Sequence, residues 1–168
     1  MEKLSLLKSD YQVLKAYTAT KKEQYSLQCW LVQDNKIYAT NGKVLAEYTL
    51  PQGLTLSNGV YIPQLLSSKS LVDIILAPQA DIDFPKVLQY IPAPNEQVIS
   101  HYIEHSGNNL TVLALKIYSL YKVAVNIDYL AALPEGDFNI YVYAPDKPIL
   151  CLSKNKTWRI IILPFKMA

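Results

Sequence analysis

Thr157-Trp158-Arg159-Ile160-Ile161-Ile162-Leu163-Pro164-Phe165-Lys166-Met167-Ala168 closes the sequence, and the fold is decided by how this stretch is read. From Ile160 to Leu163 it is apolar and mostly β-branched, so it predicts a strand buried on both faces. Pro164 has no N–H to donate and must stop the ladder. Phe165 and Met167 are then left beside a strand end. Such a tail either closes the core or forms one wall of a groove, and the run by itself does not choose.

Working back from the tail, three strands are expected over Phe138–Tyr143, Ile149–Leu152 and Trp158–Leu163. Pro145-Asp146-Lys147-Pro148 and Lys154-Asn155-Lys156 join them. Asn126 is placed to cap a short helix over Ile127–Leu133, which Pro134 and Gly136 end. A strand over Tyr121–Val125 precedes it. Residues 120–168 therefore read β-α-β-β-β.

The first fifty residues read the same way. Lys3–Leu7 alternates as a strand, and Ser9 or Asp10 can cap a helix over Tyr11–Thr18, where Tyr11, Leu14 and Tyr17 share a face. Lys21-Lys22-Glu23 is a solvated turn. Strands over Tyr25–Val32, Lys36–Thr40 and Val44–Leu50 follow. The pairs Asp34-Asn35 and Asn41-Gly42 make the tight turns, because Asn and Gly accept positive φ. Two β-α-β-β-β units flank an irregular middle, residues 51–119. That middle should hold a short strand Val60–Ile62, a helix opened by Pro63 and running to Ser68, and an apolar run Leu71–Ala77. A proline-rich loop Asp81–Pro94 comes next, then a hairpin of Gln97–His105 with Leu110–Tyr118 across Gly107-Asn108. The expectation is one α+β domain over residues 1–168, with helices on one face of antiparallel sheets.

Composition bounds the function. The 168 residues are 51% apolar, enough for a core, with a net charge of only +2 and 13 tyrosines. So small a charge gives no bulk attraction to DNA. Arg159 is the single arginine among 16 basic residues, which argues against sequence-specific DNA reading. Met1-Glu2-Lys3-Leu4 shows no signal-peptide pattern, and no apolar run approaches the ~20 residues of a membrane span. A cytoplasmic protein with reduced Cys29 and Cys151 and no membrane partner is expected.

Five segments resemble the bacterial DNA polymerase β sliding clamp family, in that family's order. Lys36-Ile37-Tyr38-Ala39-Thr40-Asn41-Gly42-Lys43-Val44-Leu45-Ala46 is similar to its "ATDGHRLA" segment, and Val60-Tyr61-Ile62-Pro63 to its "VIVP" strand. Phe84-Pro85-Lys86-Val87-Leu88-Gln89-Tyr90-Ile91-Pro92 resembles the "FPDYRRVLP" connector. Asn126–Leu133 is similar to "NVSYVLDVLNAL", and Ile161–Met167 to "VVMPMRL". Asn41 stands where the family has Asp, and Lys43-Val44 where it has His-Arg. The chain has room for roughly one clamp domain plus the connector.

The resemblance implies a sliding-clamp domain fold and a non-enzymatic role in DNA replication or repair, with no cofactor and no metal. It implies capture of clamp-binding-motif proteins, such as polymerase or repair factors. The residues implied are Thr40, Gly42, Lys43 and Leu45, then Pro85, Gln89 and Tyr90, then Ile161, Ile162, Leu163, Pro164 and Phe165. A homo-oligomeric ring encircling DNA without sequence preference is the alternative. Lys8, Lys15, Lys21 and Lys22 would face the DNA, although the helix after Asn126 offers Asp128 and no lysine. A clamp-fold interaction protein without peptide binding is a further alternative. Enzyme chemistry finds little support: His101 and His105 lack a third metal ligand nearby, and Asp81 and Asp83 read as a solvated turn.

Overall fold

The computed structural model describes residues 1–20 and 22–163, with the backbone alone at residues 22–24 and 90. The chain forms two compact units, Met1–Lys86 and Val87–Ala168. In the first, β1 (Glu2–Leu7) runs straight into α1 (Lys8–Ala16), and a 3-10 turn follows over Lys22–Gln28. Then come β2 (Trp30–Gln33), β3 (Lys36–Thr40), β4 (Val44–Thr49), β5 (Gly59–Ser68) and β6 (Leu71–Pro78). Their order in the sheet is β1-β6-β5-β2-β3-β4, antiparallel throughout.

The period-two pattern explains this sheet. Leu4 and Leu6 of β1 and Val72, Ile74 and Leu76 of β6 are all buried, while Lys3, Ser5 and Leu7 point to solvent. On the buried side lies α1, which contributes Val13 and Leu14, with Tyr17 one turn on. Each such side chain contributes about 2 kcal/mol of burial. Trp30 is buried too, and its indole N–H donates to Thr18 Oγ1 at 3.0 Å. Tyr11 meets the Trp30 ring edge-on, with centroids 6.4 Å apart.

The second unit holds β7 (Val98–Ile103), α2 (Asn109–Tyr121), α3 (Ile127–Ala131), β8 (Gly136–Tyr141), β9 (Ile149–Ser153) and β10 (Trp158–Ile162). Its antiparallel order is β7-β8-β9-β10. The fold is α+β, and β-α-β-β-β recurs as β1-α1-β2-β3-β4 and β7-α2-α3-β8-β9-β10.

Several expectations change. Leu110–Tyr118 is not the return strand of a hairpin but part of α2. Leu113 and Ile117 bury completely at helical spacing, although the same residues also alternate as a strand would. Tyr121–Val125 is no strand, because α2 runs through Tyr121 and ends at Lys122 in the left-handed conformation (φ 59°), and residues 123–126 form no regular element. The second β-α-β-β-β unit therefore opens at β7. Pro63–Ser68 is not helical and continues β5. Pairing of β2 to β5 stops at Tyr61, so Pro63 lies where that side of β5 has no ladder and its missing N–H costs nothing. Finally, Tyr25–Val32 is a strand only from Trp30, being 3-10 before that.

Neither Ser9 nor Asp10 caps α1, whose N-cap is Leu7 without a side-chain bond. Asp10 instead accepts from the Tyr48 hydroxyl at 2.9 Å, tying α1 to β4. Burial raises the Asp10 carboxyl above its ordinary 3.8, partly offset by the Tyr48 bond. A folded pKa above the unfolded one means that the stabilisation it brings is present below 3.8 and is lost as pH rises through the folded value. Asp10→Asn keeps an acceptor without the charge. Urea unfolding should show its stability rising relative to wild type between pH 4 and pH 7. Asp10→Ala, which also lacks the titrating group, should cost about 1 kcal/mol near pH 4 through the lost bond and less at pH 7. Parallel pH profiles for wild type and Asp10→Asn would contradict this account.

Candidate functional site

The β3–β4 turn carries the first group of implied residues, and its side chains build it. Thr40 is buried, donates from Oγ1 to the Val44 carbonyl at 2.7 Å and accepts from the Gly42 N–H at 3.1 Å. Asn41 Oδ1 accepts from the N–H groups of Lys43 (2.9 Å) and Val44 (3.1 Å). Gly42 takes φ +88°, which a side chain would strain. Leu45 is buried opposite Thr40 in the ladder, and Lys43 projects into solvent. The turn thus holds one long cation over a fixed backbone. The acceptor role of Asn41 needs an oxygen at that position, which Asp would also supply.

Pro85 is half-buried near the end of the first unit. In the second unit, Gln89 is exposed on a 3-10 turn over Leu88–Tyr90, and the Tyr90 side chain lies outside the described residues. Ile161 and Ile162 are buried in β10, whereas Leu163, just past the strand, is 40% exposed. Pro164 and Phe165 lie outside the described residues. Two contiguous clusters result, one at the β3–β4 turn and one at the end of β10, with Pro85 and Gln89 separate from both in sequence.

The lysines divide. Lys8 and Lys15 are both exposed on one face of α1, two turns apart. Lys21 lies outside the described residues, as does the side chain of Lys22. The sequence alone hides α2, because Leu110–Tyr118 also alternates as a strand would. Its outward surface is largely apolar, with Val112, Leu115 and Leu120 exposed beside Lys116. Lys122, at its C-cap, sits over the Tyr118 ring, 5.6 Å from the centroid.

The other candidate residues have local roles. His101 Nε2 meets Asn109 Oδ1 at 3.1 Å, and the same oxygen accepts from the Glu104 N–H at 3.1 Å, closing the β7–α2 turn. His105 Nε2 meets the Leu133 carbonyl at 2.6 Å. Among the described residues no three His, Cys, Asp or Glu side chains group as a metal site. Both cysteines are buried free thiols. Burial pushes Cys151 up to about 12 and Cys29 upward, so neither is a ready thiolate.

Among solved structures, the architecture is that of the bacterial β sliding clamps. The DNA polymerase III β chain of Streptococcus pneumoniae TIGR4 matches with a TM-score of 0.65 at 10% identity, covering 99% of this chain and 65% of that one. The Caulobacter crescentus polymerase III β matches at 0.62 and 12%, covering 99% and 66%. The Thermotoga maritima β subunit matches at 0.60 and 10%, again covering 99% and 66%. The chain thus spans 65–66% of the length of these clamps. No protein-family model matches the chain, and no curated protein matches it by sequence.

If the turn rests on side-chain oxygens, Thr40→Val should cost about 1–2 kcal/mol and Asn41→Ala about 1 kcal/mol in urea unfolding. Asn41→Asp should stay within about 0.5 kcal/mol of wild type. Equal losses for Asn41→Ala and Asn41→Asp would show that the acceptor is not what matters.

Proposed function

We propose that this chain is a sliding-clamp-like, non-enzymatic protein of DNA replication or repair, acting in the cytoplasm by capturing short clamp-binding peptides. The observation that carries the reading is Leu163. It stands 40% exposed at the end of β10, directly after buried Ile160, Ile161 and Ile162. A part-exposed leucine where a buried strand ends can form one wall of a pocket for an apolar side chain. Gly42, Lys43 and Pro85 in the first unit and Gln89, Tyr90, Leu163, Pro164 and Phe165 in the second are the contacts of this reading, while Thr40, Leu45, Ile161 and Ile162, which are buried, would act by holding their neighbours in place. The clamp fold supports the reading, because it supplies both the β3–β4 turn and the terminal strand. The occupants are polymerase or repair factors bearing such motifs.

A second reading, a ring subunit that encircles DNA, draws on Lys8 and Lys15. The apolar outward surface of α2 weighs against it, since phosphates need cations.

A labelled peptide of the Gln-Leu-x-Leu-Phe type, titrated by fluorescence polarisation, tests the first reading. Saturable binding near micromolar, roughly −8 kcal/mol, is expected. Leu163→Asp should weaken it at least about tenfold, with circular dichroism checking that the variant still folds. A folded protein with no saturation at about 100 μM would sink peptide capture. The ring reading requires DNA binding that falls steeply with salt and is lost in Lys8→Glu/Lys15→Glu.

A further inference from the structure

We propose that β7 is a self-complementary edge, pairing antiparallel with β7 of a second copy across a two-fold axis through Ser100. Among the described residues β7 ends its sheet, bonded only to β8. Natural edges are blunted by lysine, proline or bulges. Val98-Ile99-Ser100-His101-Tyr102-Ile103 has none of these, and its register with β8 is unbroken from Val98↔Tyr141 to Ile103↔Gly136. The opposite case is β1, where Lys3 stands exposed on the strand and Ser5 is already hydrogen-bonded to Asp73 on β6.

The backbone fixes which groups are free. The Val142 N–H donates to the Gln97 carbonyl at 3.0 Å, and these two residues stand opposite each other when the β7–β8 register is extended by one. Ile99, His101 and Ile103 therefore direct their N–H and C=O at β8, as Gln97 does its C=O while its N–H donates to Asn95 Oδ1 at 2.9 Å, and Val98, Ser100 and Tyr102 direct theirs at the free edge. The Val98 N–H turns locally to the Glu96 carbonyl at 3.1 Å. Its carbonyl and both polar groups of Ser100 and Tyr102 remain for a partner strand.

Only a two-fold at Ser100 centres these groups on themselves. Ser100 then opposes Ser100 of the second copy, and Val98 opposes Tyr102 in both directions. About four inter-chain hydrogen bonds form, two at the Ser100 pair and one from each Tyr102 N–H to a Val98 carbonyl. Val98 is 42% exposed and Tyr102 55% exposed, both on the outer face, so the register covers each with the other. Tyr141, opposite Val98 on β8, extends the same row. Glu96 and Glu104 face each other beyond the ladder at both ends, so added salt should tighten the pair rather than loosen it. The arrangement is closed and isologous, unlike a head-to-tail ring.

Sedimentation equilibrium of the full chain should show a species of twice 19.0 kDa whose population rises with concentration. Tyr102→Lys should weaken association at least about tenfold. Ser100→Pro should abolish it, since it removes an N–H aimed at the partner and none aimed at β8. Circular dichroism checks that both variants fold. Ser100→Cys should cross-link into dimers with a short bis-maleimide, because the register sets the two thiols side by side across the axis with Cα atoms about 5.5 Å apart. Wild type, whose cysteines are buried, is the control. A wild-type protein that stays monomeric at every concentration overturns the proposal. So does association that survives Tyr102→Lys, or a dimer that Ser100→Cys fails to cross-link. If Ser100→Pro does not fold, the other two variants decide.

Discussion

Burial of Leu4 and Leu6 on β1 beside Val72, Ile74 and Leu76 on β6 fixes the frame of the first unit. A slip of one residue would carry Lys3 and Ser5 into the core and Leu4 and Leu6 into water. That penalty is several times the energy of any surface contact, so register here is not negotiable. The opposite face, once register is set, becomes a polar surface: Asp73 accepts from the hydroxyls of Ser5 and Ser67, which hold its carboxyl below the usual range. The same constraint brings α1 down onto β1 and β6. With the helix held there, Asp10 meets Tyr48 and Trp30 meets Thr18.

Legibility in the sequence followed the strength of the local signal. Asp34 and Asn35 adopt φ of 52° and 60°, as a two-residue hairpin of that composition requires, and Asn126 accepts from the Asp128 N–H as a helix cap should. These are short-range effects, settled within four residues. The strands around them, β3, β4, β8, β9 and β10, were legible because alternation or continuous apolarity left one reading. Where two periods fit the same residues, local reading failed. Leu110, Val112 and Ala114 alternate, yet Leu113 and Ile117 are the pair that buries. Only the second unit's core, which no window of sequence contains, separates those alternatives. Pro63 misled for a related reason: proline forbids a ladder only on the side where a neighbour exists, and β2 is too short to reach it.

The candidate site was legible as turn chemistry and opaque as a surface. Thr40, Asn41 and Gly42 announce a tight connection by residue type alone, and their bonds bear this out. Exposure of Leu163 is not a property of the peptide string Ile-Ile-Ile-Leu. It depends on where β10 stops being covered, which is a tertiary fact. The outward face of α2 is a similar case. A helix read as a strand has no outward face, so the apolar Val112, Leu115 and Leu120 could not count against a phosphate-lined surface until the helix was seen.

The low identity to clamps of the same fold has a physical source in these residues. The β3–β4 turn needs an oxygen at position 41 to receive the N–H groups of Lys43 and Val44, and an amide serves as well as a carboxylate. It needs positive φ at Gly42, where glycine carries no penalty. Elsewhere the demands are for apolar volume on alternate residues, which Val, Ile and Leu meet with little distinction. A fold specified by period, by a few acceptors and by a few positive-φ turn positions tolerates wide replacement of side chains. Similarity near 10% with a TM-score of 0.65 is then what such loose constraints permit. The surfaces, which those constraints leave unspecified, are where this chain is free to differ. The uncharged β7 edge and the apolar α2 face lie on such surfaces, so partner choice can diverge while the backbone stays that of a clamp.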